Sequence, residues 1–223
     1  MITLVFRLLL FALAVFLYMY DPSETVLYSI GWYILREVVL LAIIWLHLVV
    51  GMMFRLIPNK RISMGARKHF FETNLKSSLA HPKEKIKTNI HKGAATIAIV
   101  WIVLNAFVFM LMHLAGLLTL EIAVIILLSY SICDVAFIQF SCPFRFLFMH
   151  NRCCTTCRIY NWDFLMITTP LILFPSLFSL SLLTLALAVF IRWEFAVWRY
   201  PERFAIETNP GLCASCNHCN AKV

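Results

Sequence analysis

Long apolar runs, nearly free of charge and each close to the length of a bilayer-crossing helix, recur along this chain and leave it few ways to fold. The first, Leu4 to Tyr20, contains one charge, Arg7, and ends in the polar turn Asp21-Pro22-Ser23-Glu24. It has no small-residue cleavage pattern, so it reads as a retained span and not as a secretion signal. The second, about Tyr28 to Phe54, carries Arg36 and Glu37 side by side, then Trp45, His47 and a Gly51-Met52-Met53 stretch. The third, about Gly93 to His113, leads through a tight Leu114-Ala115-Gly116 connection into a fourth, about Leu118 to Phe140, which predicts a helical hairpin. From Phe164 the chain stays apolar to Trp198, too far for one ordinary span. Pro170 and Pro175, with Ser176 beside the second, predict that this stretch folds into a short fifth span and a longer sixth. One long kinked or re-entrant helix is the other reading.

Composition removes the soluble alternatives. Hydrophobic residues make up 62% of the chain and charged ones 13%, against roughly 45–50% and 25% in ordinary globular domains. The 223 residues have room for six spans of roughly 20 residues and little else. The expectation is an all-α polytopic membrane protein of about six transmembrane helices. Helices 1 and 2 fall in 1–54 and a basic loop in 55–92. Helices 3 and 4 fall in 93–140, a cysteine-rich loop in 141–162, helices 5 and 6 in 163–199 and a cysteine-rich tail in 200–223.

The net charge of +8 reads as topology and contact with anionic lipid, with no nucleic acid partner implied. Ten Lys or Arg lie between Arg55 and Lys92. Arg145, Arg152 and Arg158 follow in the second loop, and Arg192, Arg199, Arg203 and Lys222 at the end. If six helices alternate, these seventeen of the nineteen basic residues share one side, while Asp21, Glu24 and Glu121 fall on the other. The positive-inside rule then predicts that both termini, both polar loops and the tail face the cytoplasm, most simply across a prokaryotic cytoplasmic membrane. Within the basic loop, Met64, Phe71, Leu75 and Leu79 recur near helical spacing with Arg67, Lys68 and Lys76 between them. That pattern suits a helix lying on a charged bilayer surface, or a short solvated one.

Eight cysteines are present: Cys133 near the inner end of the fourth span, Cys142, Cys153, Cys154 and Cys157 just after it, and Cys213, Cys216 and Cys219 in the tail. Seven are therefore expected in the cytoplasm, a reducing compartment that disfavours structural disulfides. There a Cys-x-x-Cys spacing reads first as metal or cluster ligation, because two intervening residues let a turn aim both thiolates at one ion. Cys154-Thr155-Thr156-Cys157 and Cys213-Ala214-Ser215-Cys216 both fit. The last helical hairpin would return the tail to the loop, and the two knuckles together would complete a four-thiolate zinc site. The run Cys213, Cys216, Cys219, with two residues in each gap, also resembles the three-cysteine run of bacterial ferredoxins, without the further Cys-Pro that normally continues it. The resemblance covers only seven tail residues. It implies an iron–sulfur cluster, of the 4Fe-4S type, whose fourth ligand is remote, with Cys153, Cys154 or Cys157 as suppliers and Cys142 available to a second site. His150 and His218 stand beside the cysteines as alternative ligands or as solvated loop residues. Adjacent cysteines such as Cys153 and Cys154 do not easily share one ion.

Ionisable residues inside the bilayer are costly and point to function by default. Arg36, Glu37 and Glu121 lie toward the outer end and Arg192 and Glu194 toward the inner end, where snorkelling or mutual pairing accounts for them. Asp134 lies deeper, next to Cys133 and level with His47 of the antiparallel second span, so His47, Cys133 and Asp134 form a candidate intramembrane polar site. His47 and His113 sit at opposite ends of their helices, which argues against a shared haem. No phosphate loop, nucleophile elbow or zincin motif is visible. Phe and Trp are expected as lipid-facing bulk and interfacial belt. The leading functional expectation is a membrane redox subunit whose cytoplasmic clusters take electrons from a soluble redox protein and pass them to a membrane acceptor such as quinone. A zinc-stabilised scaffold or transporter, its four-cysteine site pinning tail to loop, is the alternative, and a soft-metal carrier with a thiol relay is the third.

Overall fold

The computed structural model describes residues 2–20, 31–57, 93–139 and 162–201. Among these residues the chain is helical throughout its regular structure, with no strand. Helix α1 is Ile2–Met19. Helix α2 is Gly31–Leu56, with a π-helical stretch at Ile34–Leu40 that continues as α-helix over Leu41–Leu56. Helix α3 is Ala94–Leu114 and α4 is Leu120–Gln139, and Gly116, at φ 67°, supplies the left-handed residue in the tight turn between them. Helix α5 is Asp163–Thr168, prolonged by a 3-10 turn over Thr169–Leu173. Helix α6 is Leu177–Arg199.

Four of these, α2, α3, α4 and α6, are long and apolar enough to cross a membrane, and Thr3–Met19 and Asp163–Leu173 are shorter apolar helices. The apolar stretch after residue 163 is therefore two elements and not one kinked helix. Pro170 stands at the start of the 3-10 turn, where its missing N–H is tolerated. The backbone leaves helical geometry at Phe174, and Ser176, in extended conformation, caps α6 by accepting from the Ser179 N–H at 3.1 Å. The Trp162 indole N–H donates to Glu194 at 2.8 Å, so the start of α5 lies level with Glu194 of α6. At 1.5 Å per residue, Leu177 to Glu194 is about 26 Å of helix, close to the hydrocarbon thickness. The short fifth element, with its extended linker, thus covers nearly the same depth as the α6 stretch beside it.

Apolar residues spaced by three or four build the core. Leu10, Ala14 and Leu17 of α1, and Leu40, Ile44, Leu48 and Met52 of α2, face inward. They meet Val124, Leu127 and Leu128 of α4, Phe164, Ile167 and Leu171 of the fifth element, and Leu182, Ala186 and Val189 of α6. The closest neighbours are α1 with α4, α2 with α6, and α5 with both α4 and α6. Gly51 allows α2 and α5 to approach, because a Cβ there would stand 3.0 Å from Phe164 Cζ. Outside this core the surface is apolar, with Ile102 65% and Leu114 75% exposed, as lipid contact requires. Trp32, whose indole donates to the Tyr20 carbonyl at 3.0 Å and whose ring meets Phe16 and Tyr20, suits the expected aromatic belt. Trp193 does not, being fully buried.

Candidate functional site

Charges from four different elements gather at one end of the bundle, where α2 and α4 finish and α5 begins. Call this the proximal end, and the end holding the π-helical stretch the distal end. Arg7, in the first turns of α1, donates from Nη1 to Asp134 of α4 at 3.2 Å, and the same nitrogen donates to the Ser131 carbonyl. Arg55, at the end of α2, donates from Nη2 to Asp163 of α5 at 2.9 Å. The other Asp163 oxygen accepts from the Phe164 N–H at 2.9 Å, while the Arg55 guanidinium lies 5.6 Å from the centre of the Phe164 ring. Asp134 is within Coulombic reach of Asp163 and Arg55 as well as of Arg7, so the two pairs form one neutral network.

The network is buried. The side chains are 10% and 17% exposed in the Arg7–Asp134 pair, and 14% and 6% in the Arg55–Asp163 pair. An isolated charge removed from water in this way costs several kcal/mol even after relaxation, on the order of what a bonded partner of opposite sign restores. Two polar atoms beside the network, Arg7 Nε and Ser131 Oγ, are buried with no hydrogen-bond partner among the described residues.

Of the three residues read from the sequence as an intramembrane polar site, Asp134 belongs to this network. Its partner is Arg7 and not His47. His47 stands nearby, its ring 5.0 Å from that of Phe6 and within Coulombic reach of Arg7. Cys133 is exposed on the outside of α4, on a different face from Asp134. Arg7, Arg55 and Asp163 were missed as site residues. Arg7 announces itself as the one charge in an apolar run, and Asp163 as an acid at the start of another, but only the packing of α1 on α4 and of α5 between its neighbours shows what each one meets.

A second polar seam ties α3 to the others. The Asn105 amide donates to the Trp101 carbonyl at 2.9 Å and accepts from the Tyr130 hydroxyl at 2.8 Å. The Trp101 indole reaches Thr169 at 3.4 Å, and its ring meets Tyr130 edge-on at 5.0 Å. At the distal end Arg36 and Glu37 pair with each other at 2.9 Å, the mutual pairing expected of them, and Arg36 lies over the Tyr18 ring at 5.4 Å.

Cys142, Cys153, Cys154, Cys157, Cys213, Cys216 and Cys219 lie outside the described residues, as do His150, His218 and the expected surface helix of the basic loop. Among the described residues no group of three or more His, Cys, Asp or Glu is placed to hold a metal ion. The described ends do locate where the two cysteine-bearing segments attach. Asp134 is near the end of α4, Asp163 opens α5, and Glu194 near the end of α6 bonds Trp162. The 140–161 segment and the 202–223 segment therefore join the bundle at the same, proximal end.

No protein-family model, curated protein or solved structure matches the chain. What the described residues define is a class: an all-helical bundle with four helices long and apolar enough to cross a bilayer and a buried charge network at one end.

Proposed function

We propose that this protein is a membrane redox subunit that crosses the bilayer six times, holds both termini and both polar loops at the cytoplasmic face, and binds an iron–sulfur cluster between its cysteine-rich loop and tail. The observation that carries the proposal is the common attachment of the two cysteine-bearing segments to the proximal end. Each segment carries a Cys-x-x-Cys pair in its sequence, Cys154 with Cys157 and Cys213 with Cys216, and Cys219 extends the second. The spacing of the tail run favours a cluster over a lone zinc ion. The short fifth element supports the six-fold crossing, since the neighbouring α6 stretch gives it a depth of about 26 Å. The basic residues support the orientation, and Arg7 now joins them at the proximal end.

In this reading a soluble cytoplasmic redox protein delivers single electrons to the cluster, and a quinone in the bilayer is the acceptor. Full-length protein purified anaerobically is the test. Iron and acid-labile sulfide in stoichiometric amounts, with an EPR signal on reduction that Cys216→Ser removes, is the expected result. Colourless protein carrying stoichiometric zinc would end the redox reading and leave the four-cysteine site as a pin between tail and loop. Extension of the orientation comes from thiol labelling of intact cells: single cysteines placed in 22–29 should react from outside, and those in 60–90 should not.

A further inference from the structure

We propose that the wall formed by His47 and Phe6, backed by Arg7 and Asp134, is the site where a quinone headgroup enters from the lipid. The inference rests on the redox reading above and gives its acceptor a place. His47 lies nine residues before Leu56, about 14 Å along the helix from the proximal end, in a depth range where a polar side chain at the lipid boundary is costly and marks a ligand or proton pathway. It is only partly buried. Its ring contacts Phe6 at 5.0 Å with an interplanar angle of 54°, and Phe6 is itself 41% exposed. Helix α1 packs closely on α4, and along α2 it meets chiefly the distal, π-helical stretch. Toward the proximal end this pair of rings therefore stands at a lipid-facing seam between α1 and α2.

Aromatic walls and a hydrogen-bond donor beside a positive charge are what a planar, electron-poor dicarbonyl ring requires. Phe6 and His47 supply π faces, and a His47 ring N–H can donate to one carbonyl oxygen. Arg7, within Coulombic reach of His47, favours the negative charge that builds on the ring as electrons arrive. The Arg7 Nε–H, buried and without a partner among the described residues, leaves donor capacity on the same side chain beyond what Asp134 and the Ser131 carbonyl use. Reduction of the quinone to the quinol takes two electrons, which a cluster held by the loop and tail cysteines would supply one at a time. An O–H bond forms at each carbonyl oxygen: at one the proton passes through His47, whose donating ring nitrogen gives one up as its other nitrogen takes one from proximal water, and at the other the proton comes from water directly. The quinone leaves as quinol. Arg55 and Asp163 complete the charges around Asp134, so Arg7 stays held in a neutral set of two guanidinium groups and two carboxylates.

The test uses full-length protein in nanodiscs and a photoreactive short-chain quinone. Saturable labelling of peptides containing Phe6 and His47 is expected, weakened at least tenfold in His47→Leu and in Phe6→Ala and partly restored in His47→Gln, with the helical circular-dichroism spectrum unchanged. Labelling that is absent, that maps elsewhere, or that is equal in all variants overturns the site. So does displacement of the quinone by added phosphatidylglycerol, which would give the seam to a lipid headgroup. Because binding is read without electron transfer, iron content decides the redox reading separately: labelling of a zinc-loaded protein sinks that reading while leaving the site, and iron without labelling does the reverse.

Discussion

The two ends of the bundle handle charge in opposite ways. At the distal end Arg36 bonds Glu37, its neighbour in sequence, within one helix. At the proximal end Arg7 bonds a residue 127 positions away, and Arg55 one 108 positions away. A pair made inside one helix forms whichever helices surround it. A pair made between helices forms only if the right helices are adjacent, so the proximal network specifies that α1 neighbours α4 and α2 neighbours α5. Buried ionic groups are often neutral in net stability when compared with apolar replacements. We assign the proximal network that specifying role, and replacing charges at the two ends tests it.

The largest effect is expected at Asp163. Asp163→Leu leaves Arg55 buried without its carboxylate and removes the acceptor of the Phe164 N–H, and breaking such a pair costs about 3–5 kcal/mol. Unfolding in mixed micelles measures it. Arg55→Met combined with Asp163→Leu should recover most of the loss, because both charges of the pair are then removed together. A double variant as unstable as the single one would mean that the pair holds the fold by its own attraction, and the contrast between the ends would fail.

Gly51 comes next. Gly51→Leu drives a side chain into Phe164, already 3.0 Å from where a Cβ would stand, and should cost about 1–3 kcal/mol as overpacking does. The same displacement would move the ring against which Arg55 rests. Phe164→Ala in the Gly51→Leu background should therefore restore stability in part. If the two losses simply add, the helices are not in contact at this point.

Much of the architecture was legible before any coordinates. The apolar runs located each of the long helices, because in lipid a segment must satisfy its own backbone and only helix or closed barrel does so. Pro170, Pro175 and Ser176 gave the break between α5 and α6, since missing N–H groups and a capping hydroxyl act locally. The π-helical stretch Ile34–Leu40 was not legible, for no residue in it is a helix breaker. The partners of Arg7 and Arg55 were hidden for a different reason. The sequence shows that a charge in an apolar run needs compensation, but the compensating residue is fixed by which helices touch, and α1 touches α4 across more than a hundred intervening residues. Depth alone suggested His47 for Asp134, and depth is shared by every helix at that level.

A smaller effect sharpens the comparison from the middle of the bundle. Asn105 and Tyr130 bond across α3 and α4 at 2.8 Å, neighbours joined by a tight turn whose adjacency needs no specification. A double-mutant cycle of Asn105→Leu with Tyr130→Phe should give a coupling of about 0.6 kcal/mol, typical of interhelical hydrogen bonds in membranes. A coupling approaching that of the Arg55–Asp163 pair would show that α3 depends on this seam for its place.

The smallest effect belongs to the distal pair, and its two members should differ. Glu37→Gln removes a partner that Arg36 holds within α2, and partly exposed pairs of this kind contribute below about 1 kcal/mol. Arg36→Gln removes the same pair and also the cation over the Tyr18 ring of α1 at 5.4 Å, an interhelical contact of about 0.5–1 kcal/mol where solvent reaches it. The arginine variant should therefore lose more than the glutamate variant. Tyr18→Leu should erase that difference, because it removes the ring through which the extra loss arises. Equal losses for both variants in the native Tyr18 background would mean that the distal end holds α1 and α2 together by apolar contact alone.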